Sequence, residues 1–176
     1  DFYRLAVRLS SPLGHYMPGQ FVMVRIPGPD LFLRRPFSIF DYSGKQLTIL
    51  YRAVGKGTEV LSAMGKGGTL TVLGPLGKGF SVDKSKEAVL VAGGIGIAGV
   101  AALAKRLRGR TTVLFGCSSE QETVLLSDLT DIPLSVATLD GSAGYKGTVV
   151  DLTKRYLSTG SADRALYVCG PDGMVR

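Results

Sequence analysis

The chain lacks the residues on which several classes of enzyme depend. Its 176 residues include one histidine, His15, no tryptophan and two cysteines, Cys117 and Cys169. A single histidine argues against a histidine-based catalytic triad and against a multi-histidine metal site. Two distant cysteines build neither a disulfide scaffold nor a four-cysteine metal site, and free thiols are typical of the cytoplasm. We therefore expect a cytoplasmic protein and no metal ligands in this chain.

Long apolar runs and blocks of like charge are also missing. No apolar run reaches the ~20 residues that span a bilayer, and the first residues do not have the pattern of a signal peptide. The net charge is +7, but the cations are scattered among glycines and strand-like segments, whereas nucleic-acid-binding arms concentrate them. We expect no membrane and no nucleic-acid partner. A basic surface suits an acidic protein partner or phosphate-bearing cofactors.

Glycine and apolar residues are abundant, with 24 glycines and 45% hydrophobic residues. A chain of this length buries roughly 70% of the surface that its unfolded form exposes. Short apolar segments separated by Gly and Pro predict a small antiparallel β-barrel in the first half. The predicted strands are 2–9, 20–26, 46–53 and 69–73, with one short helix at 58–64 that begins at Thr58 and ends before Gly65.

The second half has a different pattern of apolar segments. A polar stretch, 81–87, precedes it, and we place the domain boundary after Asp83, giving domains 1–83 and 84–176. Beyond it, apolar strands at 88–92, 112–115, 134–139 and 166–168 alternate with helical segments at 100–107, 124–129 and 149–157. This alternation predicts a parallel sheet covered by helices on both faces.

A glycine-rich sequence follows the first of these strands. Residues 94–99 fit the pattern G-x-G-x-x-G, and Gly93 precedes them. Glycines at a strand-to-helix turn let backbone N–H groups approach a pyrophosphate, which the helix N-terminus favours. A tight turn with close packing requires the same residues. The strand–turn–helix context favours dinucleotide binding.

Two segments of the first half are suited to anions. Residues 34–39 combine two arginines, a proline, an aromatic ring and a serine, and Gly55-Lys56-Gly57-Thr58 opens the short helix. An arginine binds a diphosphate in bidentate fashion, and the residues after it can line a planar ring. From composition alone, an edge strand with exposed arginines explains residues 34–39 equally well.

A series of short motifs runs through nearly the whole chain. They are R-P-F-S at 35–38, L-Y-R at 50–52, G-x-G-T at 55–58, G-P-L-G-x-G-F at 74–80, G-G-x-G at 93–96, D-G-S at 140–142 and C-G-P at 169–171. In this order they resemble the ferredoxin–NADP reductase superfamily and, within it, the electron-transfer subunits of bacterial dihydroorotate dehydrogenase. The resemblance implies an N-terminal antiparallel Greek-key β-barrel that binds FAD and a C-terminal Rossmann-like α/β domain that binds NAD.

The resemblance also implies roles for individual residues. Arg35 would bind the FAD pyrophosphate, while Phe37 and Ser38, after Pro36, would line the flavin ring. Other FAD contacts would come from Leu50, Tyr51, Arg52, Gly57 and Thr58. In the second domain, the dinucleotide turn would comprise Gly93, Gly94 and Gly96. The ribose contacts would be Asp140, Gly141 and Ser142. The residues beside the nicotinamide would be Cys169, Gly170 and Pro171. Cys169 and Ser38 are the residues expected closest to the reacting atoms, with Cys169 positioning the nicotinamide rather than acting as a nucleophile.

The implied function is hydride transfer between NAD(H) and FAD, with electron exchange to a partner protein. That partner would be the catalytic dehydrogenase subunit of pyrimidine biosynthesis or another redox protein, in a hetero-oligomer. Alternatives are a hydrogenase-associated or free-standing ferredoxin reductase-like protein and a non-catalytic nucleotide-binding module. The sequence departs from the subunits it resembles where it ends at Arg176, before their four clustered cysteines. A [2Fe–2S] cluster is expected only if the full-length protein extends beyond Arg176.

Two finer expectations concern the cofactors. FAD is expected rather than FMN, because Arg35, Arg52 and the Gly57-Thr58 turn offer more anion contacts than one terminal phosphate requires. NADH is expected over NADPH, because residues 116–122 and 140–142 contain three carboxylates and no cation, and a carboxylate favours free ribose hydroxyls over a 2′-phosphate. Lys146, close in sequence, argues in the other direction.

Overall fold

A computed structural model of the chain describes residues 1–159 and 163–175. The chain forms two compact units, Asp1–Phe80 and Ser81–Arg176, which divide at the start of the polar stretch. Residues 160–162 and 176 of the expected second domain lie outside the described residues.

The first unit is built from antiparallel strands. They are β1 (Phe2–Arg8), β2 (Phe21–Arg25), β3 (Arg35–Ser38), β4 (Asp41–Ser43), β5 (Gln46–Arg52) and β6 (Thr71–Leu76). Two three-stranded sheets result, in the orders β1-β5-β4 and β3-β2-β6. Alternation along the strands sends one set of side chains inward, where Val22, Val24, Leu47 and Ile49 are fully buried. The predicted antiparallel β-barrel is confirmed.

The only helix among the described residues of this unit is α1 (Lys56–Ala63). It begins two residues before the predicted start at Thr58, because Gly55 takes the N-cap position and Thr58 is the third helical residue. Thr58 therefore bonds back to the N-cap residue from the first turn of the helix and is not itself the N-cap. The helix ends at Met64, whose backbone is extended, so Gly65 does not adopt the left-handed conformation of a glycine C-cap.

The second unit contains a parallel sheet. Its strands are β7 (Glu87–Gly93), β8 (Thr111–Cys117), β9 (Leu134–Thr138), β10 (Tyr145–Lys146) and β11 (Arg164–Cys169), in the order β10-β9-β8-β7-β11. The helices are α2 (Ile97–Arg106), α3 (Val149–Ser158) and the short α4 (Asp172–Val175). The predicted parallel sheet is confirmed, with β10 as a short edge strand that the sequence pattern did not indicate.

Helices cover both faces of this sheet. Val89, Val91 and Leu114 form one core cluster with Val149 at the start of α3. Their neighbours Leu90, Val113 and Phe115 point to the other face by strand alternation and are also fully buried, on the side where α2 contacts β7 and β8. Strands buried on both faces explain the continuous apolar runs in the sequence.

One predicted helix is wrong in type and position. Residues 124–129 were expected to be helical, but the structure has a 3₁₀-helix over Glu120–Leu126, followed by further tight turns from Ser127 to Val124 and from Leu129 to Leu126. The same i→i−3 bonding continues to Ile132, whose N–H donates to the Leu129 carbonyl, so the segment before β9 is made of three-residue turns rather than an α-helix. Every helix in the part of the chain that the structure describes is too short or too polar to span a membrane.

Candidate functional site

Arg35 and the first turn of α1 lie against each other. A Cβ at Gly57 would lie 3.3 Å from Arg35 Nε and 3.7 Å from its Cγ, so glycine lets the arginine lie close against the helix without a shift. Arg35 Nη1 donates a 2.6 Å hydrogen bond to the Leu33 carbonyl, which fixes the guanidinium. We call Arg35 and Gly57 the arginine–glycine cradle. A cation held at a helix start, where N–H groups lack intrahelical acceptors, is suited to a phosphate group.

The hydroxyl of Thr58 is committed to the backbone. Thr58 Oγ1 accepts hydrogen bonds from the N–H groups of Val54 and Gly55, at 3.0 and 3.2 Å, and donates one to the Gly55 carbonyl at 2.9 Å. These contacts fix the chain ahead of the helix. Thr58 thus shapes the cradle, and the groups it leaves for an anion are the backbone N–H groups of the first turn.

Arg34, the neighbour of Arg35, has a different environment. Its Nη1 donates to the Thr71 carbonyl on β6 at 3.2 Å, away from the first turn of α1. The structure therefore separates the two arginines of the motif, and Arg35 alone joins the cradle.

The aromatic residues of the first unit pack on one another. Phe37 is buried and meets the Tyr51 ring edge-on, with ring centroids 5.7 Å apart and planes at 70°. Tyr3 stacks on the other side of Tyr51 with centroids at 5.4 Å. Burial, and then the neighbouring Tyr3, raise the pKa of the Tyr51 phenol. Tyr3 was missed because only its alternation along β1 marks it as inward-facing.

The expected FAD residues of β3 and β5 do not share one face. Tyr51 lies in the barrel core, whereas Leu50 and Arg52, one residue before and after it, point to the opposite face. The Arg52 guanidinium lies 5.8 Å from the centroid of the Phe2 ring. Pro36 is exposed and Ser38 is half-buried, on the face of β3 opposite Phe37.

In the second unit, the glycine turn (residues 93–96) meets the end of β11. A Cβ at Gly93 would lie 2.8 Å from Met174 Sδ and 3.1 Å from Pro171 Cδ, and a Cβ at Gly96 would overlap the carbonyl oxygen of Cys169. Close packing against backbone therefore requires glycine at position 96, and Gly93 leaves room for the Met174 and Pro171 side chains. The structure brings the predicted G-G-x-G and C-G-P segments into contact. Met174, which sequence reasoning missed, packs over that contact, and no spacing rule indicates it.

Gly94 has another role in the same turn. Its φ is +51°, which favours glycine, and apart from Glu122 Oε2, 3.9 Å from the position of its Cβ, nothing comes within 4 Å. Of the three expected turn glycines, Gly94 is the one with open space beside it. The Glu122 carboxylate was also missed as a neighbour of this turn, because the loop after β8 carries it there.

The two cysteines have neutral thiols near pH 7. Burial raises the pKa of the half-buried Cys169. Burial, and then the carboxylates of Glu122 and Asp140, raise the pKa of Cys117 to about 11. Cys117 Sγ donates to the Ser119 carbonyl at 3.3 Å, which fits a structural role. The described residues contain no cluster of three or more His, Cys, Asp or Glu that would hold a metal ion.

Asp140, Gly141 and Ser142 form a turn after β9, which we call the carboxylate turn. The N–H and the hydroxyl of Ser142 both donate to Asp140 Oδ1, at 2.9 and 2.6 Å. These hydrogen bonds lower the pKa of Asp140, which is an exposed carboxylate. Gly141 has a φ of +79°, and a Cβ there would lie 2.8 Å from Lys146 Cδ. The aliphatic part of Lys146 therefore lies along the turn.

Comparisons with known proteins give one consistent family of relatives. The chain is 38% identical over 167 residues to the electron transfer subunit of dihydroorotate dehydrogenase B (NAD(+)) from Listeria welshimeri, covering 90% of this chain and 65% of that protein. It is 39% identical over 168 residues to the subunit of the same name from Enterococcus faecalis, with 90% and 64% covered. The chain thus spans less than two thirds of these relatives. No protein-family model matches it.

Solved structures agree. A structure of an NADH-dependent reduced ferredoxin–NADP oxidoreductase superposes with a TM-score of 0.87 at 28% identity, covering 99% of this chain and 64% of the other. A ferredoxin–NADP⁺ reductase from Neisseria gonorrhoeae with bound FAD and NADP superposes with a TM-score of 0.80 at 18% identity, covering 99% and 81%. The predicted resemblance to the ferredoxin–NADP reductase superfamily and to these electron transfer subunits is confirmed.

Proposed function

We propose, from the premise that the chain has the ferredoxin reductase-like fold, that it is a flavoprotein oxidoreductase unit that transfers hydride between NAD(H) and FAD. It would exchange electrons with a partner protein. The relatives that are 38% and 39% identical to it are named electron transfer subunits of dihydroorotate dehydrogenase B (NAD(+)). We therefore propose the same subunit role in pyrimidine biosynthesis, in a hetero-oligomer with a catalytic dehydrogenase subunit.

The observation that carries the FAD assignment is the arginine–glycine cradle. A phosphate there would meet the Arg35 guanidinium and the N–H groups that open α1, and the missing Cβ of Gly57 keeps this position accessible to the arginine. Charge-assisted hydrogen bonds of this kind are about twice as strong as neutral ones. The residues present fit a diphosphate, and we assign the first unit to FAD on this basis.

The NAD assignment is supported by the contact between the G-G-x-G turn at 93–96 and the C-G-P segment at 169–171. Gly94 has a positive φ and open space beside it, and α2 begins three residues later. The loops after β8 and β9 carry the carboxylates of Glu120, Glu122 and Asp140, and the cation beside them is Lys146. The carboxylates suit a dinucleotide whose adenosine ribose has two free hydroxyls.

In this proposal the protein binds and orients, while the cofactor supplies the chemistry. Bound FAD would supply the hydride-accepting chemistry and the onward transfer of electrons. Cys169, with a neutral thiol, would pack beside the nicotinamide, and Ser38 would donate a hydrogen bond to the flavin ring. Hydride transfer between the two cofactors would need no further acid or base from the protein.

The cysteines of this chain do not supply the ligands of an iron–sulfur cluster. Its two cysteines, Cys117 and Cys169, are separated by most of the second unit, and a [2Fe–2S] cluster is held by four ligands. Such a cluster would need ligands from outside the 176 residues. We propose a cytoplasmic location on the basis of the two free thiols.

An absorbance spectrum tests the proposed function. Purified protein should show flavin bands that bleach when NADH is added without oxygen, and extraction should release FAD. A colourless protein that retains nucleotide would instead support a non-catalytic binding module. Recovery of FMN alone would contradict the diphosphate assignment of the arginine–glycine cradle.

A further inference from the structure

The Ser142 hydroxyl makes a contact that its neighbours in the carboxylate turn do not explain. Besides donating to Asp140 Oδ1, Ser142 Oγ accepts a 2.7 Å hydrogen bond from the N–H of Glu120. Glu120 is the first residue of the 3₁₀-helix that follows β8. One hydroxyl therefore joins the loops that follow two neighbouring strands of the parallel sheet.

The chain contains an internal comparison for this turn. Asp83 and Ser85 form the same local structure, with Ser85 N and Oγ donating to Asp83 Oδ1 at 2.9 and 2.6 Å. The distances at Asp140 and Ser142 are the same. No described residue donates a hydrogen bond to Ser85 Oγ, so the bond from Glu120 is what distinguishes the second turn. Local turn chemistry alone does not account for it.

Two backbone bonds reinforce the same connection. Asp140 N–H donates to the Ser118 carbonyl at 3.3 Å, and Leu139 N–H donates to the Cys117 carbonyl at 3.1 Å. The loop after β9 is thus held against the loop after β8 along three consecutive contacts. Ser142 supplies the one contact of the three that depends on a side chain.

The arrangement has two consequences for a ribose bound at this edge of the sheet. Both hydrogen bonds from Ser142 fall on Asp140 Oδ1, and the Thr138 side chain bonds the same carboxylate. The orientation of Asp140 is therefore fixed, and its carboxylate is an acceptor for a ribose hydroxyl. The Glu120 N–H, which would otherwise be a donor to a phosphate, is already bonded. A 2′-phosphate would therefore meet a fixed carboxylate and an occupied donor.

We propose that Ser142 is a positioning residue that sets the preference for NAD over NADP by fixing Asp140 and occupying the Glu120 N–H. This replaces the sequence-based expectation that Ser142 itself contacts the ribose. The inference rests on the proposed function, since it assumes that the adenosine ribose binds beside the carboxylate turn.

Binding of the oxidised nucleotides tests it without turnover. Dissociation constants for NAD⁺ and NADP⁺ are measured by isothermal titration calorimetry on the flavin-loaded protein and on Ser142→Ala, Ser142→Thr and Ser85→Ala. In Ser142→Ala we expect weaker NAD⁺ binding and unchanged or tighter NADP⁺ binding. The dissociation constant for NADP⁺ divided by that for NAD⁺ should therefore fall about tenfold, a difference of ~1.4 kcal/mol. Ser142→Thr keeps the hydroxyl and should restore the ratio. Ser85→Ala, the matched control, should leave it unchanged.

The outcomes separate the inference from the proposed function. If the unmodified protein binds neither nucleotide, the proposed function is wrong. If it binds NAD⁺ and the ratio is the same in Ser142→Ala, the specificity role of Ser142 is wrong while the proposed function stands. Equal weakening of both nucleotides in Ser142→Ala, with recovery of both in Ser142→Thr and unchanged thermal unfolding, would also overturn it, because it would indicate a direct contact of the hydroxyl with the nucleotide.

Discussion

The two units build their candidate sites from opposite charges. Residues 1–80 contain ten Lys and Arg against four Asp and Glu, whereas residues 81–176 contain eleven against ten. In the first unit, the arginine of a strand lies on the first turn of a helix. In the second, carboxylates follow the ends of parallel strands, where burial first, and then Glu122 and Asp140, raise the pKa of Cys117. A diphosphate suits the first arrangement, and free ribose hydroxyls suit the second.

Glycine also serves the two units differently. Gly57 lacks a Cβ so that a cation can approach the helix start, while Gly93 and Gly96 lack one so that the backbone and Met174 can pack. The first is a requirement of the candidate ligand site, and the second is a requirement of the fold. Substitution in the first unit should therefore weaken ligand binding, whereas substitution in the second should lower the free energy of unfolding.

The largest expected effect on stability is Gly96→Ala. The new methyl group would overlap the Cys169 carbonyl oxygen, and backbone atoms have no rotamer by which to move away. Overpacking of this kind costs about 1–3 kcal/mol or more, so the urea midpoint of unfolding should fall clearly. Gly55→Ala in the first unit is the control, because its φ of 178° is extended and nothing lies within 4 Å of its Cβ position. Equal midpoints for the two variants would contradict the packing requirement.

The largest expected effect on binding is Arg35→Ala. Loss of a charge-assisted contact with a diphosphate should cost about 1.5–3 kcal/mol, which is roughly ten- to a hundredfold in FAD affinity. Arg34→Ala is the matched control, since Arg34 donates to the Thr71 carbonyl instead. Flavin occupancy after gel filtration measures both. Similar retention by the two variants would show that the cradle does not hold the diphosphate.

These predictions depend on contacts that the sequence did not reveal. The motifs R-P-F-S and G-x-G-T indicated anion binding, but residues 35 and 57 are far apart in sequence, and only the barrel brings Arg35 Nε near Gly57. Strand periodicity found most of the sheets. It missed β3, β4 and β10, which have four, three and two residues, because such short strands have almost no period to detect. The inward position of Tyr3 and the packing of Met174 likewise arise from tertiary structure.

The second unit should prefer NADH to NADPH. Asp140 is held as an exposed, ionised carboxylate, and Glu120 begins the helix that follows β8. Both would repel a 2′-phosphate, while Lys146, whose chain lies along Gly141, is the nearby cation that would attract it. We expect a kcat/KM for flavin reduction about tenfold higher with NADH. A higher kcat/KM for NADPH at equal concentration would contradict the assignment of these carboxylates to the ribose.

The smallest expected effect is on stability alone, and it concerns Glu87 at the start of β7, outside both candidate sites. Glu87 Oε1 accepts from Tyr156 Oη at 2.9 Å, and Oε2 accepts from Arg164 Nε at 3.1 Å. The bond from Tyr156 first, and then Arg164, lower the pKa of Glu87 below its ordinary value of 4.5. Since the folded pKa is depressed, this stabilisation is fully present above pH 4.5 and is lost as pH falls through the folded pKa.

Glu87→Gln should therefore destabilise the protein by about 1 kcal/mol near pH 7, as expected for one charged hydrogen bond in a partly exposed network. The difference from the unmodified protein should shrink steadily below pH 4.5, because the carboxyl group becomes neutral in both the folded and unfolded chains. Urea unfolding from pH 7 down to pH 3 measures it. Asp163→Asn is the control, since Asp163 pairs with Lys86 at 3.2 Å with 73% of its side chain exposed, and such pairs contribute little. A difference that stays constant with pH would mean that the Glu87 charge adds nothing and that only its packing does.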